Sequence, residues 1–231
     1  TDKATRAIIA IDTPADPAIE TLKNLLTAPH FGMMNVKKNC NLIAGPSPDV
    51  GKSFVSVNLA AVLANNGKKV LLIDGDLRRG HLHQYLGIER ENGLSEFISG
   101  EIAIGDALHP TTVPDLTLIP TGVLPPNPVE LLLHQRFTNC MSVLTPRYDH
   151  IIIDSPPILA VTDASIIGQM AGGTLLVLKA GEHPMREIEL SVRRLQQAEV
   201  NLRGVVFNDI RSQSRNYGVG KYSYQYSYKN G

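Results

Sequence analysis

Short, unbroken apolar runs recur along this chain. They alternate with stretches in which apolar positions fall three and four residues apart. Leu42-Ile43-Ala44, Lys69–Ile73, Leu116–Pro120, Ile151–Ile153, Thr174–Lys179 and Val205–Phe207 read as strands. Their continuous apolar character predicts burial on both faces, as in a parallel sheet covered by helices on each side. Ser53–Leu63, Gly93–Ile98, Ala103–Leu108, Val129–Leu144, Asp163–Met170 and Met185–Ala198 read as the helices between them. The alternation predicts an α/β, three-layer fold with a mainly parallel central sheet and ligands at the carboxyl ends of its strands.

The ends of the chain break this pattern. Residues 1–40 read as an N-terminal arm. It holds a short apolar run from Ile8 to Ile11, a turn from Asp12 to Pro17, and Ile19, Leu22, Leu25 and Leu26 at helical spacing before Pro29. The arm's helix is a candidate for covering the core or for contacting another subunit. Residues 41–210 form the expected core. Residues 211–231 form a tail that carries five of the seven tyrosines and neither aspartate nor glutamate. With almost no aliphatic side chain to bury, the tail is expected to be flexible, with its tyrosines exposed.

Composition narrows the classes. Lys plus Arg and Asp plus Glu both number 22, which argues against nucleic acid as an obligatory partner. Cys40 and Cys140 are isolated, and the histidines lack zinc-ligand spacing. No apolar run is long enough to span a bilayer. The chain starts at Thr1 rather than at methionine, so it reads as a possible fragment whose membrane segment can lie elsewhere.

The sharpest local signal is Gly45-Pro46-Ser47-Pro48-Asp49-Val50-Gly51-Lys52-Ser53, placed between a strand and a helix. Backbone amides around Gly51 to Ser53 can surround a phosphate, and the helix N-terminus favours its charge. Lys52 can reach β- and γ-phosphates, and the Ser53 hydroxyl can ligate Mg²⁺. The strict pattern has glycine six residues before the lysine; here Pro46 stands there and Gly45 precedes it. Two further strands end in acid. Leu71–Ile73 runs into Asp74-Gly75-Asp76, where alternation would aim both carboxylates into one cleft. Ile151–Ile153 runs into Asp154, placed like a Walker B residue. Thr162-Asp163 is a candidate cap for the next helix. Gly-x-Gly-x-x-Gly is absent, so the parts point to ATP or GTP and phosphoryl transfer rather than to a dinucleotide.

In their order, these motifs resemble the cytoplasmic kinase domain of bacterial tyrosine kinases, the polysaccharide co-polymerase kinases of capsule and exopolysaccharide export. Pro125–Leu132, Leu159–Ala164, Gly204–Asn208 and the final tyrosines share in the resemblance, which covers most of residues 14–231. It implies a P-loop NTPase-like fold and ATP- and Mg²⁺-dependent autophosphorylation. The implied phosphoacceptors are Tyr217, Tyr222, Tyr224, Tyr226 and Tyr228, modified between subunits. By resemblance, Lys52, Asp74, Asp76 and Asp154 are catalytic, with Asp74 activating the tyrosine hydroxyl. Ser53, Asp76 and Asp154 serve the metal. Gly45, Ser47, Asp49, Val50, Gly51, Lys52, Ser53, Phe54, Asn208 and Arg211 bind the nucleotide, Asn208 at the adenine.

The resemblance also implies self-association in a ring, partners in polysaccharide export, a cognate tyrosine phosphatase, and a place on the inner face of the bacterial inner membrane through a segment outside this chain. Phosphates on the tail, each roughly −1.5 to −2 in charge, would be expected to release it from a carboxylate-lined cleft and weaken the ring. Two positions depart from the family. Lys23 and Leu26 stand where its ring-forming Glu-x-x-Arg-x-x-Arg helix has arginines, so a ring is expected to be weaker or to use other contacts. His81 stands where many members carry an internal regulatory tyrosine. The competing reading is a partitioning-type P-loop ATPase switch that hydrolyses ATP without tyrosine transfer.

Overall fold

The computed structural model of the chain describes residues 8–27 and 39–210. Arg211 and all five tail tyrosines lie outside those residues. Strands β1 (Cys40–Ala44), β2 (Val70–Asp74), β3 (His109–Pro110), β4 (Leu116–Ile119), β5 (His150–Asp154), β6 (Gly173–Lys179) and β7 (Leu202–Asn208) form one sheet in the order β3-β4-β2-β5-β1-β6-β7. Every pairing is parallel except β3 with β4. β3 follows a Gly105-centred turn and has no counterpart among the apolar runs, because two residues are too few to show a period.

Strand burial follows from side-chain alternation. Ile43, Leu72, Ile152 and Val177 face one core cluster, while Leu42, Leu71, Ile151, Ile153 and Leu176 face the other. Both faces are covered, so both parities along each strand are apolar.

The first cluster is filled by helix α3 (Lys52–Asn65), which is buried along nearly its whole length. An all-round apolar helix needs cover on its outer side too. Helices α1 (Ile9–Asp12) and α2 (Pro17–Thr27) supply part of it, with Ile8, Ala10, Ile19 and Leu22 buried in the same cluster. The apolar run at Ile8–Ile11 is thus a helical turn. It is tied down by the Ala10 amide donating to Asn58 Oδ1 at 2.9 Å, and Asn58 Nδ2 in turn donates to Phe54 O. Leu26 packs against this core, and Lys23 pairs with Glu20 of its own helix at 2.6 Å.

The short helix α4 (Leu82–Leu86) lies on the same face as α3, and the other face carries α5 (Leu94–Ser99), α6 (Pro128–Leu133), α7 (Gln135–Leu144), α8 (Asp163–Met170) and α9 (Met185–Gln197). α4, which no sequence run announced, packs its Leu82, Tyr85 and Leu86 back against the α3 cluster. Two expectations need correction. Ala103–Leu108 is a set of turns, because Gly105 interrupts it and its bonds span only three residues. Val129–Leu144 is two helices. His134 is extended at φ −69°, ψ 139°, and its Nδ1 caps the second helix by accepting from the Arg136 amide. Among the described residues, no helix is long and apolar enough to cross a membrane.

Phe137 of α7 is fully buried in the second cluster. Phe137→Ala should lower unfolding free energy by about 3–5 kcal/mol. Urea denaturation of the two proteins checks this, and a near-zero change would contradict the packing.

Candidate active site

The carboxyl ends of β1, β2 and β5 lie side by side, and each delivers a polar group to the same edge of the sheet. β1 runs into the loop 45–51, which turns directly into α3. Two glycines make this loop possible. A Cβ on Gly45 would sit 2.7 Å from the Val50 side chain and 3.0 Å from the Val177 carbonyl oxygen. Gly51 has φ +94°, and a Cβ there would lie 2.0 Å from Asn208 Nδ2. That amide donates to Val50 O at 3.0 Å, so β7 fastens the loop from the far side of the sheet. Val50 is fully buried, while Asp49 is exposed and adopts a left-handed φ of 58°.

Lys52 opens α3, and its Nζ donates back to the Ser47 carbonyl at 3.1 Å. Ser53 Oγ donates to Asp154 Oδ2 at 2.5 Å. Ser56, one turn further on, donates to Asp154 Oδ1 at 3.0 Å. Ser56 was not among the residues singled out from the sequence. Its signal is a hydroxyl at the i+3 position from Ser53, inside an otherwise apolar helix.

Asp74 and Asp154 are direct neighbours in the β2–β5 register. They are only 1% and 2% exposed. Burial, followed by repulsion from Asp154, pushes the Asp74 carboxyl up to about 8. Burial likewise raises Asp154, against the pull of Ser53, Lys52 and Ser56. Lys52 is lowered by burial despite attraction to Asp154 and Asp76. Desolvation thus outweighs attraction at both ends of the Lys52–Asp154 pair, and each group is drawn toward its neutral form. A divalent cation between phosphates and carboxylates would relieve that cost. Ser53 with one or two carboxylates is a suitable oxygen set for Mg²⁺, which usually shares its shell with water and substrate phosphates.

Asp76 behaves differently from Asp74. β2 ends at Asp74, so strand alternation does not reach Asp76, and the expected shared cleft face is not found. Asp74 accepts from the Leu82 amide at 2.9 Å and the Asp76 amide at 3.3 Å. Asp76 accepts the Arg78 and Arg79 amides on Oδ1, each at 3.0 Å. A cavity of about 640 Å³ opens over the loop. Asp49, Gly51, Lys52, Ser53, Phe54 and Asp76 line it, while Asp74, Asp154 and Asn208 do not. Two carboxylates, Asp49 and Asp76, therefore line the cleft, while Asp74 and Asp154 are buried and do not.

Arg78 does not pair with the nearby aspartates. Its guanidinium grips Asp163 through two bonds, at 2.9 and 3.1 Å. Asp163 is fully buried and makes this bridge, and the α8 N-cap Thr162 makes no side-chain cap bond. Thr121, after β4, donates to Asp76 O at 3.4 Å; it is another polar residue at a strand end that the sequence reading passed over.

A family model described as an AAA domain matches residues 47–202. The putative tyrosine-protein kinase EpsB of Ralstonia nicotianae is 43% identical over 228 residues, which is 99% of this chain and 30% of that protein. The solved kinase domain of the Escherichia coli tyrosine kinase ETK matches with a TM-score of 0.87 and 39% identity, covering 95% of this chain and 87% of that one. The solved BceF tyrosine kinase domain gives 0.81 and 48%, covering 88% and 82%. The chain spans about 30% of the length of the curated relatives it matches.

Gly51→Ala should destabilise the protein by roughly 1–3 kcal/mol through backbone strain and the clash with Asn208. Gly51→Ala with Asn208→Ala should recover part of that loss, as read by thermal unfolding; no recovery would count against the Asn208 clasp. For Asp74, a folded pKa above its unfolded value means that the folded state holds an extra proton between about pH 4 and pH 8. Its contribution to stability therefore falls as pH rises through that window. In metal-free protein, the advantage of Asp74→Asn over wild type should grow from pH 5 to pH 9, by a few degrees in Tm. A constant gap would contradict the assignment.

Proposed function

This chain belongs to the bacterial tyrosine-protein kinases, on an AAA domain, and we propose that it transfers the γ-phosphoryl group of ATP to tyrosines of its own C-terminal tail. Transfer between subunits, and a role in controlling polysaccharide synthesis or export from the inner face of the inner membrane, complete the proposal. The observation that carries it is the convergence of Lys52, Ser53 and Asp76 on one cavity, with Asp154 bonded to Ser53 directly beneath.

Catalysis in this site is positioning and charge neutralisation. The amides of Gly51, Lys52 and Ser53, at the start of α3, cradle the phosphates. The Lys52 ammonium shifts from the Ser47 carbonyl to the β- and γ-phosphate oxygens. Asn208, held against the loop at Val50, is the proposed contact for the adenine. Ser53, Asp76 and Asp154 would hold Mg²⁺. When bound, Mg²⁺ neutralises charge on the β- and γ-phosphates.

Asp74 is the proposed acceptor of the tyrosine proton. A base works best with a pKa near the working pH, and burial has brought Asp74 into that range. Its carboxylate is buried and accepts from the Asp76 and Leu82 amides, so the acceptor hydroxyl has to displace part of this cover to reach it. Asp76 lines the cavity and keeps Oδ1 on two backbone amides.

Incubation with labelled ATP and Mg²⁺, followed by mapping of the modified residues, tests the reading. Label should appear on Tyr217, Tyr222, Tyr224, Tyr226 or Tyr228, and Lys52→Met should reduce it at least a hundredfold. Release of phosphate with an unlabelled tail would instead identify an ATPase switch.

A further inference from the structure

Asp76 is held within its own turn. Its Oδ1 accepts the Arg78 and Arg79 amides, each at 3.0 Å, and its carbonyl oxygen accepts the Gly80 amide at 2.7 Å. Residues 76–80 are thus bonded into one unit, and the Asp76 carboxylate goes where that unit goes. β2 ends at Asp74, so the sheet ladder does not fix the unit's place. Side chains that tie the turn to other elements have to do so. The Thr121 hydroxyl reaches the Asp76 carbonyl at a long 3.4 Å. The Arg78 guanidinium makes the stronger tie, with a two-bonded fork of 2.9 and 3.1 Å on the carboxylate of Asp163.

Asp163 is a fixed point for that tie. Its side chain is fully buried, whereas Arg78 keeps 37% of its own exposed. The segment between β5 and α8, which leads to Asp163, is bonded to the loop 45–51. The Ile158 and Leu159 amides donate to the Gly45 and Pro46 carbonyls at 2.9 and 3.1 Å. Arg194 of α9 donates to the Ile158 carbonyl at 2.7 Å. A continuous path therefore runs from Gly45 through Ile158 to Asp163, and across the Arg78 fork to Asp76. The same loop runs directly into α3 and Ser53. The spacing between Ser53 and Asp76 is thereby referred to a single framework.

A buried ion pair is a weak source of stability, because desolvation offsets most of the attraction. What the fork supplies is direction, since two planar groups lock in one plane. Direction matters for a Mg²⁺ ligand. That ion demands near-ideal octahedral geometry at about 2.0–2.1 Å, so a small displacement of one oxygen weakens the site.

We propose that Arg78 and Asp163 form a positioning pair that aims the Asp76 carboxylate for Mg²⁺ by tying its turn to the framework of the loop 45–51. This rests on the Mg²⁺–nucleotide reading of the cavity. Arg78 lines the cavity, but its guanidinium is committed to Asp163, so it acts through Asp76.

The test is calorimetric titration of the full chain with ADP across a series of Mg²⁺ concentrations, with thermal unfolding as the check on folding. Asp163→Asn keeps the side chain's size and replaces one acceptor oxygen by a donor, so the fork loses a bond. The Mg²⁺ concentration giving half of the gain in ADP affinity should rise at least about tenfold, with ADP affinity in EDTA kept within about twofold of wild type. Arg78→Lys keeps the charge without the fork. It should shift the midpoint in the same direction, and it carries the test if Asp163→Asn does not fold. In an Asp76→Asn background, Asp163→Asn should add no further shift, because the pair acts through that carboxylate.

An unmoved Mg²⁺ midpoint overturns the proposal. Equal weakening of ADP binding with and without Mg²⁺ also overturns it, by making Arg78 a direct nucleotide ligand. A full further shift in the Asp76→Asn background does the same. Two outcomes separate the pair from the kinase reading. A tail that is labelled by ATP in a protein whose Mg²⁺ midpoint ignores both substitutions sinks the pair alone. A shifted midpoint in a chain that never labels its tail supports the pair and sinks the kinase reading.

Discussion

Two carboxylates lie side by side on adjacent parallel strands in a nearly dry environment. The β2–β5 register that pairs Asp74 with Asp154 also aligns Leu71, Leu72 and Ile73 with Ile151, Ile152 and Ile153, so neither acid can move away without disturbing the centre of the sheet. Like charges so placed raise one another's proton affinity. The surrounding structure is arranged to contain that cost. Ser53 and Ser56 donate to one carboxylate, and backbone amides of Leu82 and Asp76 donate to the other. Both acids are thereby hydrogen-bonded yet short of positive charge, a condition suited to a cation arriving with a polyphosphate.

The same constraint organises what lies around the acids. α3 must start where its hydroxyls reach Asp154, so the loop from β1 has to turn within a few residues. Gly51 and the clasp from Asn208 hold that turn. On the opposite side, Asp163 anchors Arg78, and the Arg78 amide holds Asp76. The position of Asp76 at the cavity therefore depends on the start of a helix 85 residues after Arg78 in the chain. α1 and α2 act at longer range by covering the outer face of α3.

Much of this was legible in one dimension. Runs such as Ile151–Ile153 have no polar alternation, which is enough to place them in a doubly covered sheet. The strand–Gly-Lys-Ser–helix context located the loop that lines the cavity, and acids closing two apolar runs located the strand-end carboxylates. Short or compensated features were missed. β3 and α4 are too short to show a period, Gly105 broke an apparent helix, and His134 ended one helix while capping the next. Ser56 and Thr121 carry no motif; they matter only because of what stands opposite them.

The order of apolar runs, glycines and acids determined by itself the fold class, the edge of the sheet at which the cavity opens, and the identity of the loop that lines it. These follow from local rules: side-chain period, the conformational freedom of glycine, and the open amides of a helix start. Tertiary structure alone decided which acids face the cavity and which lie beneath it, that the Arg78 guanidinium is spent on Asp163, and that burial outweighs attraction at Lys52 and Asp154. Those outcomes depend on solvent exposure and on partners 85 to 101 residues away, and charge–charge energies change with both.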